Sequence, residues 1–260
     1  MKKRSQVKTH YDEYTKHYLS SGYGKVIQAH RPTNVEDLLA YTARQAGIKD
    51  GMYILDVGCG VCGPAVYFAE HFDVKIDALT ISEEQINYSK KFIAEKNLDD
   101  KIKLVKGDFH IMDKYFEKET YDLILMLESY GHAKCHKKVI QSAEKVLKKE
   151  GRIYIKDYFQ KEITGRKQRK NAVKRAIRNM NKTYAYNLPD LIKTIKYLRE
   201  ANMNLLQVNR NKLPLDNEKS VQQFEGEHNI DIFEGGFHYN FLEPLELLFF
   251  KPENIDDPII

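Results

Sequence analysis

Tryptophan is absent from the 260-residue sequence, and only three cysteines are present. Three cysteines are too few for the disulfide framework of a small secreted scaffold, so that class is excluded. No apolar run reaches the ~18 residues needed to cross a bilayer. The basic N-terminus also lacks the apolar core of a signal peptide. We therefore predict a cytoplasmic protein that is long enough to bury its own core.

Positive charge is in slight excess and is concentrated in one segment. The formal net charge is +5, whereas residues 161–182 alone contain nine Lys or Arg and one acid, Glu162. The rest of the chain is therefore slightly acidic, which argues against a general nucleic-acid-binding surface. Apolar side chains recur at helical spacing within the segment: Ala172, Val173, Ala176, Ile177 and Met180. This pattern predicts a basic amphipathic helix.

Three partners fit such a helix: an anionic group of a substrate, an anionic membrane surface, or nucleic acid. A solvated helix face without a partner is the structural alternative. We favour recognition of a small anionic group and do not expect nucleic acid to be the substrate.

From residue 53 onward the sequence alternates short β-rich runs with helical stretches. Strands are predicted at 53–57, 74–79, 102–105, 121–127 and 152–155, and two more at 203–208 and 245–250. The intervening helices are predicted at about 64–72, 82–96, 134–148 and 189–200. This alternation predicts parallel βαβ units in a doubly wound sheet. Such sheets bind ligands beyond the carboxyl ends of their strands, so the residues that follow each strand are the candidates for a site.

A glycine-rich loop, Gly58 to Gly63, follows the first predicted strand. Its G-x-G-x-x-G pattern does not by itself identify the ligand, because dinucleotide-binding proteins share it. Asp56, two residues before the first glycine, would repel a pyrophosphate but attract a cation. Glycines let the backbone approach a ligand closely, and free helix N–H groups can meet a carboxylate. A ligand with an ammonium, a carboxylate and a nucleoside suits this combination, and S-adenosylmethionine has all three.

The sequence D-V-G-C-G at 56–60 resembles motif I of the class I methyltransferases, and the resemblance extends over residues 35–157. It implies an α/β, Rossmann-like, seven-stranded sheet that is mostly parallel and has an antiparallel last strand. It also implies S-adenosylmethionine as the cofactor and S-adenosylhomocysteine as the product. The implied parts are an N-terminal helical lid at 1–50, a cofactor-binding core at 51–158, a basic cap at 159–188 and a completion of the sheet at 189–260.

The ends of strands two and three carry the other cofactor residues that the resemblance implies. Strand two ends in Leu79-Thr80-Ile81-Ser82 and lacks the acidic residue usual there. It looks like the L-T-x-S-x-x-Q variant of methyltransferases acting on carbon in lipids and isoprenoids, in which Thr and Gln contact the ribose. A capping box of Ser82 and Gln85 is the structural alternative. Asp108 and Phe109 correspond to the residues that hold adenine. The predicted cofactor set is Tyr18, Asp56, Gly58, Gly60, Thr80, Ile81, Gln85, Asp108, Phe109 and Leu127.

Strand four is followed by Glu128-Ser129-Tyr130-Gly131-His132. This E-S-x-x-H pattern resembles the E-[AS]-x-x-H of sterol, tocopherol and prenyl diphosphate C-methyltransferases. Methylation of an alkene carbon leaves a carbocation, which a carboxylate and aromatic faces stabilise and from which a base removes a proton. We therefore predict Glu128 and His132 as catalytic residues. A helix N-terminal acid and a structural histidine are the respective alternatives.

The remaining site residues belong to the lid and the substrate pocket. The tyrosine-rich stretch 10–23 resembles the N-terminal lid of the family, whose tyrosines touch the donor carboxylate; this is the basis for Tyr18. The predicted substrate pocket contains Tyr23, Tyr130, Phe237 and His238. Cys59 and Cys62 form a C-x-x-C, but only Cys135 remains to assist them, so we expect no metal.

The leading hypothesis is a methyltransferase of a small molecule, with C-methylation of an isoprenoid-type acceptor, with or without a diphosphate, as its sharpest form. An O- or N-methyltransferase of a natural product is the first alternative. An RNA or DNA methyltransferase is another, although strand four lacks the N/D-P-P-Y/W motif of amino-methylating enzymes. The last alternative is a regulatory or interaction protein that binds S-adenosylmethionine but catalyses no reaction. The acceptor pocket has no motif, so the sequence leaves the acceptor open.

Overall fold

The computed structural model describes residues 2–20, 24–30, 32, 34–161, 167–210, 226 and 241–254. Within these ranges the strands are β1 (Tyr53–Val57), β2 (Lys75–Thr80), β3 (Ile102–Lys106), β4 (Tyr121–Leu127), β5 (Leu147–Gln160), β6 (Asn204–Asn209) and β7 (Leu242–Phe250). The helices are α1 (Lys2–Ser20), α2 (Val35–Ala46), α3 (Gly63–His71), α4 (Glu83–Glu95), α5 (His136–Val146), α6 (Lys167–Thr183) and α7 (Leu191–Glu200). Two short 3-10 helices lie at Phe109–Lys114 and Tyr130–His132.

The strands form one sheet in the order β3-β2-β1-β4-β5-β7-β6. Strands β1 to β5 pair in parallel, and β7 is antiparallel to both of its neighbours, β5 and β6. The predicted seven-stranded, mostly parallel sheet with an antiparallel last strand is confirmed. The chain order reverses between β1 and β4, which are adjacent, with Asp56 opposite Leu125. Open α/β sheets bind ligands at this reversal, beyond the carboxyl ends of the strands.

The core lies on both faces of the sheet, because successive side chains of a strand point to opposite faces. In β4, Leu123, Leu125 and Leu127 belong to one apolar cluster, whereas Ile124 and Met126 belong to the other. Helices cover both faces, so β4 is apolar from Leu123 to Leu127. This burial explains why β4 appears in the sequence as a continuous apolar run rather than as an alternating one.

One boundary differs clearly from its prediction. Strand β5 begins at Leu147, five residues before the predicted start at Arg152, and α5 ends at Val146. Leu147 has the correct spacing for the apolar stripe of α5, but its backbone pairs with Tyr121 of β4. Glu150 has a positive φ of 62°, so the strand bends before it enters the sheet again.

The basic segment folds as the helix α6. Its apolar residues Val173, Ala176 and Met180 are buried against Phe241 and Leu242. None of the helices in the described part of the chain combines the length and the apolar character needed to cross a membrane.

Candidate functional site

The glycine loop after β1 is pressed against the loop after β4. Gly58 has a φ of 78°, and a Cβ placed on it would lie 2.5 Å from the Cβ of Ser129. The Ser129 hydroxyl donates a hydrogen bond to the carbonyl of Val57. Only glycine combines this backbone conformation with this close approach. A Cβ on Gly60 would meet nothing nearer than the Ile27 side chain at 4.0 Å, so the backbone there is open to a ligand.

A cavity lies where β1, β2, β3 and β4 end. Eight of the ten predicted cofactor residues line it: Gly58, Gly60, Thr80, Ile81, Gln85, Asp108, Phe109 and Leu127. Both predicted catalytic residues, Glu128 and His132, also line it. The fold thus brings together residues that lie up to 74 positions apart in the sequence.

Asp56 lies beside this cavity as a buried carboxylate. It is 2% exposed, and no side chain or backbone group in the described ranges donates a hydrogen bond to its Oδ2. Burial raises the pKa of Asp56 from 3.8 to about 7. A buried carboxylate without a donor is costly, and a ligand ammonium would remove that cost. The carboxylate therefore fits the ammonium of S-adenosylmethionine.

The residues predicted for the ribose contact one another. Thr80 Oγ1 donates to Gln85 Oε1 at 2.5 Å. Ser82 Oγ accepts from the backbone N of Gln85 at 3.2 Å and caps α4. The Gln85 side chain therefore contacts Thr80, and within this structure only the Ser82 half of the capping box forms. Thr80 and Gln85 together present polar atoms to the cavity, which fits the ribose hydroxyls.

His110 fixes the orientation of Asp108. Oδ1 of Asp108 accepts from the backbone N of His110 at 3.0 Å and lies 2.6 Å from His110 Nδ1. The backbone N of Cys135 donates to His110 Nε2 at 3.3 Å. Because Nε2 accepts, the ring carries its proton on Nδ1 and donates it to Asp108. His110 also lines the cavity, although no sequence motif points to it.

Glu128 makes a dense set of contacts. Its Oε2 accepts from the backbone N of Ala29 at 2.7 Å, and its Oε1 accepts from that of His30 at 3.1 Å. Lys156, whose side chain is 2% exposed, lies with its Nζ 2.5 Å from Glu128 Oε1. The same Nζ donates to Gln28 Oε1 at 2.9 Å and to the carbonyl of His30 at 2.7 Å. All three ammonium protons are used, so the pair fixes segment 24–30 at the cavity wall.

His132 connects the site to the N-terminal helix. Its Nε2 lies 2.7 Å from the hydroxyl of Tyr11 in α1, and its Nδ1 lies 3.4 Å from the carbonyl of Ala185. A carbonyl can only accept, so Nδ1 carries the proton and Nε2 accepts from Tyr11. The ring of Tyr186 lies edge-on to the imidazole, at 4.9 Å between centroids. The imidazole therefore has an accepting nitrogen on the cavity side, among aromatic rings.

Asp12 holds α1 against the rim of the cavity. Its Oδ1 accepts from Ser82 Oγ at 2.7 Å and from the backbone N of Glu83 at 3.1 Å. These donors form the first turn of α4, where a carboxylate is favoured by the helix dipole. Tyr11, one residue earlier, contacts His132. Helix α1 therefore bridges the ends of β2 and β4 as the predicted lid would.

Two predicted site residues lie elsewhere. Tyr130 is a correction: it is 1% exposed in the core, with its hydroxyl 3.5 Å from Thr194 Oγ1, and it does not line the cavity. Its ring packs against His136 because the short helix at 130–132 turns the side chain inward. Tyr18 is buried in a cluster of α1 tyrosines, with its hydroxyl 3.2 Å from His10 Nε2. Tyr23, Phe237 and His238 lie outside the described residues.

Lys156 and Asp157 belong to the site although no sequence motif points to them. Both are about 2% exposed and follow the apolar run Ile153–Ile155 of β5. Asp157 accepts from the backbone N of Gly131 at 2.9 Å, and burial raises its pKa to about 7. The signal that would have identified them is a pair of charged residues directly after the apolar run at 153–155. Cys59 and Cys62 are buried free thiols, and no group in the described ranges has the arrangement to hold a metal ion.

Comparisons with known proteins agree with this geometry. The mycolic acid cyclopropane synthetase family matches residues 36–219. A sterol 24-C-methyltransferase of Debaryomyces hansenii is 33% identical over 154 residues, which cover 56% of this chain and 40% of that protein. The match thus spans less than half the length of this relative.

Solved structures share the fold at low sequence identity. The [4+2]-cyclase SpnF superposes with a TM-score of 0.76 at 17% identity, covering 95% of each chain. Geranyl diphosphate C-methyltransferase from Streptomyces coelicolor superposes with a TM-score of 0.64 at 12% identity, covering 84% of this chain and 79% of that one. The latter was crystallised with geranyl diphosphate, Mg²⁺ and S-adenosylhomocysteine. A cyclase and a methyltransferase on one fold show that the fold alone does not set the reaction.

The family match covers well over half of the chain and includes the glycine loop, the end of β4 and the basic helix α6. The chain therefore belongs to the mycolic acid cyclopropane synthetase family of S-adenosylmethionine-dependent methyltransferases.

Proposed function

We propose that the protein transfers the methyl group of S-adenosylmethionine to an alkene carbon of an isoprenoid-type small molecule. The observation that carries the proposal is the Glu128–Lys156 ion pair, which lies at the same cavity as the glycine loop and His132. The names of the relatives support it, because sterol and geranyl diphosphate C-methyltransferases are among them.

The described residues fit the cofactor. Asp56 suits its ammonium, the open backbone at Gly60 suits its carboxylate, and Asp108 suits the adenine amino group. Thr80 and Gln85 suit the ribose hydroxyls. When bound, S-adenosylmethionine supplies a methyl group that is already activated on a sulfonium. The protein then contributes orientation and exclusion of water, and it needs no covalent nucleophile.

Two groups act on the acceptor. Glu128 is held in place by its ion pair with Lys156, and its carboxylate stabilises the positive charge that methylation leaves on the acceptor carbon. The Nε2 of His132 accepts hydrogen bonds, so it can take the proton that restores a double bond. Tyr11 lines the cavity beside the imidazole, and its aromatic ring adds to the stabilisation of a cation there.

A screen with methyl-labelled donor tests the reaction. Prenyl diphosphates, sterols, phenols, amines and RNA are compared, and the product is analysed for the labelled bond. We expect a new carbon–carbon bond on an isoprenoid. A labelled methyl group on oxygen or nitrogen would contradict C-methylation and identify an O- or N-methyltransferase. A labelled methyl group in RNA would contradict a small-molecule acceptor.

The role of Glu128 is tested with a neutral pair, E128Q/K156M. The double variant removes the carboxylate without leaving a buried charge, so the cavity wall keeps its packing. We expect turnover to fall at least about a hundredfold, while the S-adenosylmethionine Kd changes less than about threefold. K156M alone is the matched control for loss of the lysine. A double variant with full activity would remove Glu128 from the mechanism.

A further inference from the structure

Helix α6 carries a continuous stripe of cations on its solvent side. Its exposed basic residues are Lys167, Lys170, Lys174, Arg175, Arg178 and Lys182. Five of them recur every three to four residues and Arg175 lies beside Lys174, so the six share one helical face. At 1.5 Å per residue the stripe is about 22 Å long. In the ranges that the structure describes, none of the six forms an ion pair with an acid.

The opposite face of α6 is already occupied. Val173, Ala176 and Met180 are buried with Tyr186, Leu188, Phe241 and Leu242. The helix therefore has no free apolar face, and its cations point away from the core. A partner of this stripe must be recognised by negative charge alone.

The stripe lies next to the candidate site. Tyr184 and Tyr186 follow directly after α6; Tyr186 contacts the His132 ring, and Tyr184 lies 6.5 Å from the His10 ring of α1. Helix α6 thus adjoins both the lid helix and the end of β4. Whatever binds the stripe is brought close to the cavity.

We propose that the α6 stripe docks the protein on an anionic lipid bilayer. The choice of a bilayer rests on the proposed function, because an isoprenoid acceptor partitions into membranes. Lysines and arginines near an anionic surface attract it without inserting apolar groups. A single-stranded nucleic acid would also need aromatic stacking surfaces. Among the α6 side chains that the structure describes, Asn171 is the one uncharged residue that is exposed.

Sedimentation with vesicles tests the docking. Vesicles with about 30% phosphatidylserine are compared with purely phosphatidylcholine vesicles, at low and at physiological salt. We expect binding to the anionic vesicles only. The variant K170Q/K174Q/R178Q is expected to bind about a hundredfold more weakly, at about fivefold per cation removed. Gln preserves helix propensity, so α6 should persist.

Two control variants separate the stripe from net charge and from folding. K90Q/K91Q/K118Q removes the same charge from exposed lysines outside the stripe and should bind vesicles as the unmodified protein does. K170R/K174R/R178K keeps the charge and should also bind. Equal losses in both neutralised variants, or equal binding to neutral vesicles, would overturn the proposal. So would salt-sensitive RNA binding that needs the stripe, in the absence of vesicle binding.

The assay is independent of methyl transfer. S-adenosylmethionine binding and turnover on a dissolved acceptor are measured for the same variants and should stay unchanged. Vesicle binding without methyl transfer would therefore contradict the proposed function and leave the docking intact, whereas methyl transfer without vesicle binding would contradict only the docking.

Discussion

At the scale of single residues, the site is defined by two buried acids with different partners. Glu128 is neutralised by Lys156 and by two backbone N–H groups, whereas Asp56 Oδ2 has no donor among the described residues. The protein therefore supplies the partner for one acid and leaves the other for a ligand. This difference agrees with the separate roles proposed for the two acids, Glu128 toward the acceptor and Asp56 toward the cofactor.

D56N tests the cost of that buried acid. The pKa of Asp56 is raised from 3.8 to about 7 in the fold, so the folded protein binds a proton more tightly than the unfolded chain. Protonated Asp56 therefore favours the folded state fully below about pH 4. This contribution to the free energy of unfolding is lost as the pH rises from about 4 to about 7. At pH 8 we expect D56N to be more stable than the unmodified protein by about 4 kcal/mol and to unfold at a higher temperature. At pH 4 we expect no such gain.

The same variant should bind S-adenosylmethionine at least about tenfold more weakly, since a charge-assisted hydrogen bond is lost. Thermal unfolding and calorimetric titration measure the two effects. D56N with unchanged cofactor affinity would contradict the role given to Asp56. Asp157 also has a pKa raised to about 7, so part of the pH dependence will remain in D56N.

The Glu128–Lys156 pair gives a second prediction at this scale. Removal of one partner leaves a buried charge, so E128Q and K156M should each lower the free energy of unfolding by about 3–5 kcal/mol. The double variant E128Q/K156M should recover most of that loss. Denaturant unfolding of the four proteins in the cycle measures the coupling. Additive losses would show that the two groups do not act as a pair.

At the scale of elements, a carboxylate of helix α1 caps the N-terminus of helix α4 and so holds α1, the proposed lid, in place. Asp12 accepts from Ser82 Oγ and from the backbone N of Glu83 at the start of α4. Lids that are held by a few contacts open and close, and product release often depends on them. We therefore expect the strength of the Asp12 contact to affect how often the cavity opens.

D12A should make the lid open more often. Loss of a helix cap costs about 0.5–2 kcal/mol, which corresponds to an increase of up to about thirtyfold in opening. We expect faster amide hydrogen exchange in residues 6–20 and unchanged exchange in the sheet. E13A, at an exposed neighbouring acid, is the matched control. Equal exchange in D12A and E13A would contradict the cap.

The sequence predicted the elements well and their mutual contacts poorly. The alternation of strands and helices depends on local spacing, and the glycine loop and E-S-x-x-H follow strands directly. By contrast, Tyr11 contacts His132 and Asp12 contacts Ser82 across 121 and 70 positions. No local pattern encodes such pairs. Leu147 was misplaced for a related reason, because its helical spacing was overridden by strand pairing with Tyr121.

At the scale of the whole molecule, the cofactor site lies between parts of the chain that are distant in sequence. The cavity is lined by α1, by the loops after β1, β3 and β4, and by the end of β2. A ligand that contacts all of these binds the folded state only, and it stabilises that state by mass action.

S-adenosylhomocysteine should therefore raise the unfolding temperature. At a concentration of about 100 times Kd, the stabilisation is about 2.7 kcal/mol, which is about 5–10 °C for a chain of this size. NADH at the same concentration should give no shift, because Asp56 disfavours a pyrophosphate. A larger shift of the unfolding temperature with NADH would indicate that the glycine loop binds a dinucleotide instead. Differential scanning fluorimetry distinguishes the two outcomes.

The Tyr11–His132 hydrogen bond links closure of helix α1 to binding of the acceptor at the imidazole. His132 Nε2 has a single accepting position, and the lid helix occupies it. Any acceptor group or proton that takes this position must displace the Tyr11 hydroxyl from it. Lid closure and engagement of the imidazole are therefore negatively linked, and by reciprocity each weakens the other by the same factor. A tighter lid would hold the cofactor longer and admit the acceptor less readily.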